Sequence, residues 1–123
     1  MDKIRVLVAN RPRLMRELVL ATMSEQPDIE VVGEVTDGAE LERLISESKP
    51  DFVIITLAEA DKRPVICDEI LALRPETKVL ALAPERNSSL FFWSVVDIRS
   101  ARVESSEAGI LSALRGKTQL VAL

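Results

Sequence analysis

Four short runs along the chain, at residues 4–9, 29–35, 52–57 and 78–83, are almost wholly apolar and rich in β-branched side chains. Between them stand stretches whose apolar residues recur at helical spacing. A strand with no polar face must be covered on both sides. Alternating strand and helix supplies that cover, because right-handed crossovers lay helices on both faces of a parallel sheet. The expected fold is therefore α/β: a doubly wound, five-stranded parallel sheet in a flavodoxin-like three-layer sandwich.

The punctuation supports the same order. Pro12 suits a helix start, and residues 13–24 carry Leu14, Leu18 and Ala21, with Met15 and Val19 less regularly placed, as the expected inner face. Asp37 can cap a helix over 38–48 whose inner face is Leu41, Leu44 and Ile45. Pro64 opens and Pro75 closes a helix bearing Val65, Ile66, Ile70, Leu71 and Leu73. Ser88 or Ser89 is read as the cap of a fourth helix over 90–96. A fifth strand near 101–103 and a last helix from about 106 to 115 complete the series. Residues 1–116 are expected to form one domain and 117–123 a tail.

Composition narrows the function. Twenty acidic against sixteen basic residues give a formal charge of −4, which argues against a nucleic-acid surface. The basic residues near the start, Lys3, Arg5, Arg11, Arg13 and Arg16, read as a solvated face. With one cysteine and no histidine or tyrosine, the chain lacks the usual zinc ligands and the commonest acid–base groups. Cys67 is expected as a buried structural thiol. No run is long enough to span a membrane, so the expectation is a cytoplasmic protein, not an enzyme, with no cofactor and no metal.

The segments "IRVLVANRPRLMRELV", "PDIEVVGEVTDGAELERLI", "KPDFVIITL" and "RPETKVLALAP" resemble receiver domains of response regulators, especially of the NarL/FixJ type. "VVGEVTDG" following "PDIE" is the most specific piece. The resemblance implies a site at the carboxyl ends of the central strands: an acidic Mg²⁺-binding pair after the first strand, a phosphoacceptor Asp ending the third, a Thr or Ser after the fourth and a Lys after the fifth. Position by position these become Asn10 and Arg11, Thr56, Ala83 and Val103 (or Arg102), with 45 residues separating Arg11 from Thr56. None keeps the family's chemistry. Thr56 has no carboxylate, Arg11 sets a cation where Mg²⁺ would bind, and Ala83 cannot hydrogen-bond a phosphate. The expected site is thus a degenerate phosphorylation site, and the domain a pseudo-receiver without Mg²⁺. Glu59, Asp61 and Asp68 supply carboxylates beyond the third strand, and Glu59 or Asp61 is a candidate partner for Arg11.

Three of the four aromatic residues are consecutive, Phe91, Phe92 and Trp93. Read as a helix, Leu90, these rings, Val95 and Val96 leave almost no polar stripe. The resemblance places that helix on the fourth-helix, fifth-strand and fifth-helix face that many receivers use for association. Leu90, Phe91, Phe92, Trp93 and Val96 are therefore expected as an interface, with a homodimer or a protein partner, and burial of the rings in their own domain as the alternative. The function expected is phosphorylation-independent signalling by protein contact. Two alternatives stay open: a sensor holding a small anionic molecule in the vacated pocket near Arg11, and the regulatory domain of a longer transcription regulator.

Overall fold

The computed structural model describes residues 3–11, 13–57, 62–83, 88–94 and 98–116; at 88–91, 93, 94, 98 and 99 it describes the backbone. In chain order the elements are β1 (Ile4–Val8), α1 (Arg13–Ser24), β2 (Ile29–Glu34), a 3₁₀ turn (Gly38–Glu40) running into α2 (Leu41–Ser48), β3 (Phe52–Thr56), α3 (Val65–Leu73), β4 (Lys78–Ala83), β5 (Ser88–Ser94), β6 (Ile98–Val103) and α4 (Glu107–Leu114).

The first four strands are parallel and lie in the order β2-β1-β3-β4, which puts the ends of β1 and β3 side by side at the centre. Their side chains alternate between two buried layers, as the pleat requires. Leu7, Val53, Ile55, Val79 and Ala81 pack with Leu41, Ile45, Cys67, Ile70 and Leu71 from α2 and α3. Val6, Val8, Ile54, Leu80 and Leu82 pack with Val19 and Met23 of α1 and Leu111 and Leu114 of α4. Each fully buried aliphatic side chain contributes about 1.5–3 kcal/mol, so this double-sided core carries most of the fold's stability.

Asp37 caps as expected, and Ser106, expected only as the approximate start of the last helix, also acts as a cap. Asp37 Oδ1 accepts from the Ala39 N–H at 3.0 Å, and Ser106 Oγ accepts from the Gly109 N–H at 3.0 Å. The inner face of α1 differs from expectation. Leu14 and Leu18 are 67% and 60% exposed, whereas Arg16, Val19 and Met23 are buried.

The sheet is not five parallel strands. Residues 90–94, part of the helix expected over 90–96, lie instead in β5, which pairs antiparallel with β4, and β6 pairs antiparallel with β5. Two physical reasons account for it. Only four residues separate β4 from β5, enough for a hairpin and too few for a parallel crossover. Consecutive large aromatics also suit a strand better than a helix with one inner face. Ser88 and Ser89 consequently lie in β5 and cap no helix. Phe92 pairs in register with Val79 and sits 3% exposed in the α2–α3 core, so this ring is internal and does not belong to an exposed interface.

Candidate functional site

β1 and β3 end together, and the residues that follow them are tied through one hydroxyl. Thr56, the last residue of β3, donates from Oγ1 to the Arg11 carbonyl at 2.7 Å. The same oxygen accepts from the Arg11 backbone N–H at 3.1 Å and from Asn10 Nδ2 at 3.3 Å. A hydroxyl has one proton to give and two lone pairs to offer, so Thr56 is fully engaged. Asn10 is completely buried, and its Oδ1 has no hydrogen-bond partner among the described residues.

A residue the sequence reading did not single out supports this knot from below. Arg16, only 9% exposed, reaches from α1 to the Asn10 carbonyl through Nη1 at 3.4 Å and to Glu34 Oε1 through Nε at 2.6 Å. The 16, 19, 23 spacing in α1 was the available signal, masked by reading the basic cluster as solvated.

Beside the knot, a pocket of about 260 Å³ opens between the end of the sheet and the starts of α2 and α3. Ala9, Val35, Leu41, Ile55 and Ile66 form its apolar walls, with Gly38, Thr56 and Arg11 completing it. Arg11 is exposed, and its guanidinium makes no ion pair or hydrogen bond among the described residues. Its proposed partners Glu59 and Asp61 lie outside the described residues. Asp68 instead pairs with Arg63 at 2.9 Å.

Of the five residues expected at the site, the fold brings Asn10, Arg11 and Thr56 together. Ala83 is buried at the end of β4, next to β3. Val103 does not join them: β5 stands between β4 and β6, which sets Val103 two strand spacings, roughly 10 Å, from β4, in the α1–α4 core. Leu90, Phe91 and Trp93 lie in β5, with positions 91 and 93 opposite Ala101 and Arg99, and Val96 is outside the described residues. The residues carried to the Mg²⁺ and acceptor positions include no carboxylate and do not fit that ion. Among the described residues no group of three or more acidic, Cys or His side chains is placed to hold a metal, and no helix is long and apolar enough to cross a membrane.

Parallel strands in the order β2-β1-β3-β4, helices on both faces and a site at the carboxyl ends of β1 and β3 define a flavodoxin-like receiver fold. Known proteins point the same way. The chain is 36% identical over 81 residues to protein-glutamate methylesterase/protein-glutamine glutaminase 1 of Caulobacter vibrioides, covering 65% of this chain and 24% of that protein. It is 39% identical over 74 residues to the transcriptional regulatory protein LiaR of Bacillus subtilis, covering 54% of this chain and 34% of that one. Among solved structures it resembles the signal receiver domain of the response regulator NarL from Mycobacterium tuberculosis, with a TM-score of 0.54 at 28% identity over 64% of each chain. The response regulator domain of Thermotoga maritima CheB matches with a TM-score of 0.51 at 28% identity, over 63% of this chain and 58% of that one. No family model matches. Over about two thirds of its length the chain is similar to response-regulator receiver domains, and it spans about a quarter to a third of the two curated relatives named.

Proposed function

We propose that this domain signals by protein contact and without phosphoryl transfer. The observation that carries the reading is the state of Thr56. Its hydroxyl proton is committed to the Arg11 carbonyl and both lone pairs are occupied, so it has neither a free nucleophile nor a base to create one. The guanidinium of Arg11 adds a fixed positive charge at the position where a metal would neutralise the phosphoryl group. Without a phosphate-driven switch, output rests on surfaces that are permanently present. The proposed contact surface is the β5–β6 hairpin with α4, the side corresponding to the association face of the family, and the proposed partner is a second copy. In support, β6 is an edge strand of the sheet.

Two measurements test this. Intact mass after incubation with phosphoramidate and Mg²⁺ should show no added phosphoryl group; a stoichiometric gain mapped to Thr56 would sink the proposal. Light scattering coupled to size exclusion, without phosphodonor and over about a hundredfold concentration range, should show a dimer that Trp93→Glu weakens. A strict monomer throughout would overturn the self-association part.

A further inference from the structure

We propose that the pocket behind Arg11 is a binding site for a small monocarboxylate with a compact apolar body. Among the described residues, five apolar side chains line it and Arg11 is the only charged one. A guanidinium offers two parallel N–H donors in the geometry a carboxylate accepts. One cation over apolar walls matches one negative charge joined to a hydrocarbon. A phosphate or dicarboxylate would bring charge and hydrogen-bonding oxygens that Ala9, Val35, Leu41, Ile55 and Ile66 cannot satisfy.

The other polar group in the wall turns away from this role. Thr56 Oγ1 has no bonding capacity left, so orientation falls to Arg11 alone. Gly38 lies beside the guanidinium: a Cβ there would sit 3.5 Å from Arg11 Nη2, in ordinary van der Waals contact. The pocket volume of about 260 Å³ is enough to admit a compact aromatic acid such as benzoate. For a ligand so small, a Kd on the order of 0.1–1 mM is the expected range.

The site is independent of the phosphoryl question: the mass measurement reads Thr56, and ligand binding reads Arg11. Benzoate is titrated into the ¹⁵N-labelled protein and followed by amide shifts, with benzyl alcohol and inorganic phosphate as parallel probes. Saturable shifts at Ala9, Gly38 and Thr56 are expected with benzoate. Arg11→Leu should weaken binding about tenfold or more, Arg11→Lys less so, and Ile66→Phe should weaken it by filling the pocket. Arg11→Leu is expected to fold, because the Arg11 contacts to Thr56 are made by its backbone. The proposal is overturned by any of four results: no saturation up to about 10 mM, benzyl alcohol binding as well as benzoate, phosphate binding as well as benzoate, or unchanged affinity in Arg11→Leu. Binding seen only after Glu59→Gln with Asp61→Asn would also overturn it, since the chain's own carboxylates would then hold the guanidinium.

Discussion

Replacing Thr56 with valine is a nearly isosteric change that removes one oxygen and three hydrogen bonds at once. The Arg11 N–H and C=O belong to an exposed residue and can turn to water, so their loss costs little beyond about 0.5 kcal/mol each. Asn10 is different. Its side chain is completely buried and Nδ2 donates to Thr56 alone among the described residues, so an unpaired donor would stay in the protein at a cost of about 1–3 kcal/mol. The sum is about 2–4 kcal/mol, partly offset by the extra methyl, leaving a loss of about 2 kcal/mol. At about 2.1 cal/mol/K per residue, the unfolding entropy of a 123-residue chain translates this into a Tm lower by about 8 °C. Calorimetry on wild type, Thr56→Val and Thr56→Ser would read it directly. Thr56→Ser keeps the hydroxyl and should stay within about 1 kcal/mol of wild type. A Thr56→Val protein as stable as Thr56→Ser would refute the argument, because the hydroxyl would then not be holding β1 and β3 together.

Three further substitutions set one physical effect against another. Gly109→Ala should destabilise α4 by more than about 2 kcal/mol in urea unfolding, although alanine is intrinsically about 1 kcal/mol the better helix former; its Cβ would fall 2.2 Å from the Glu104 carbonyl oxygen. Burial, with a smaller contribution from Asp68, pushes the Cys67 thiol up to about 12 from the 9.0 of a solvated thiol, so it should resist Ellman's reagent until the protein unfolds. Above pH 9 the unfolded chain loses this proton while the folded one keeps it. Stability relative to Cys67→Ala should therefore fall between about pH 9 and 12, by at most about 1.4 kcal/mol per pH unit; parallel pH curves for the two proteins would contradict this. Arg16→Met should cost about 1–2 kcal/mol, because it frees the Asn10 carbonyl while leaving Glu34, 42% exposed, in reach of water. A neutral result in chemical unfolding would mean that Arg16 only fills space.

What could be read from residues alone divides at Ala83. Up to that point each strand is a largely apolar run and each helix has a cap or a proline at its start, so local preference and global fold agree, and β1–β4, α1 and α3 fall within a residue or two of expectation, with α2 preceded by a 3₁₀ turn over Gly38–Glu40. The errors there concern faces. In α1 the leucines at 14 and 18 suggested the inner side, yet the buried stripe runs through Arg16, because Glu34 and the Asn10 carbonyl satisfy a cation there. No periodicity scale values a buried arginine, since its partners come from other elements. Beyond Ala83 the family likeness argued for a helix and the side chains argued against one. An apolar circumference with no polar stripe is the signal against a helix over 90–94: a strand between two others can bury a ring that a surface helix cannot. That change of element also moves a residue expected at the site: with β5 seated against β4, Val103 lies away from the rim, in the α1–α4 core. What remains at the rim is a threonine with no free hydroxyl capacity and an arginine beside an apolar pocket, the pairing on which the proposed carboxylate site rests.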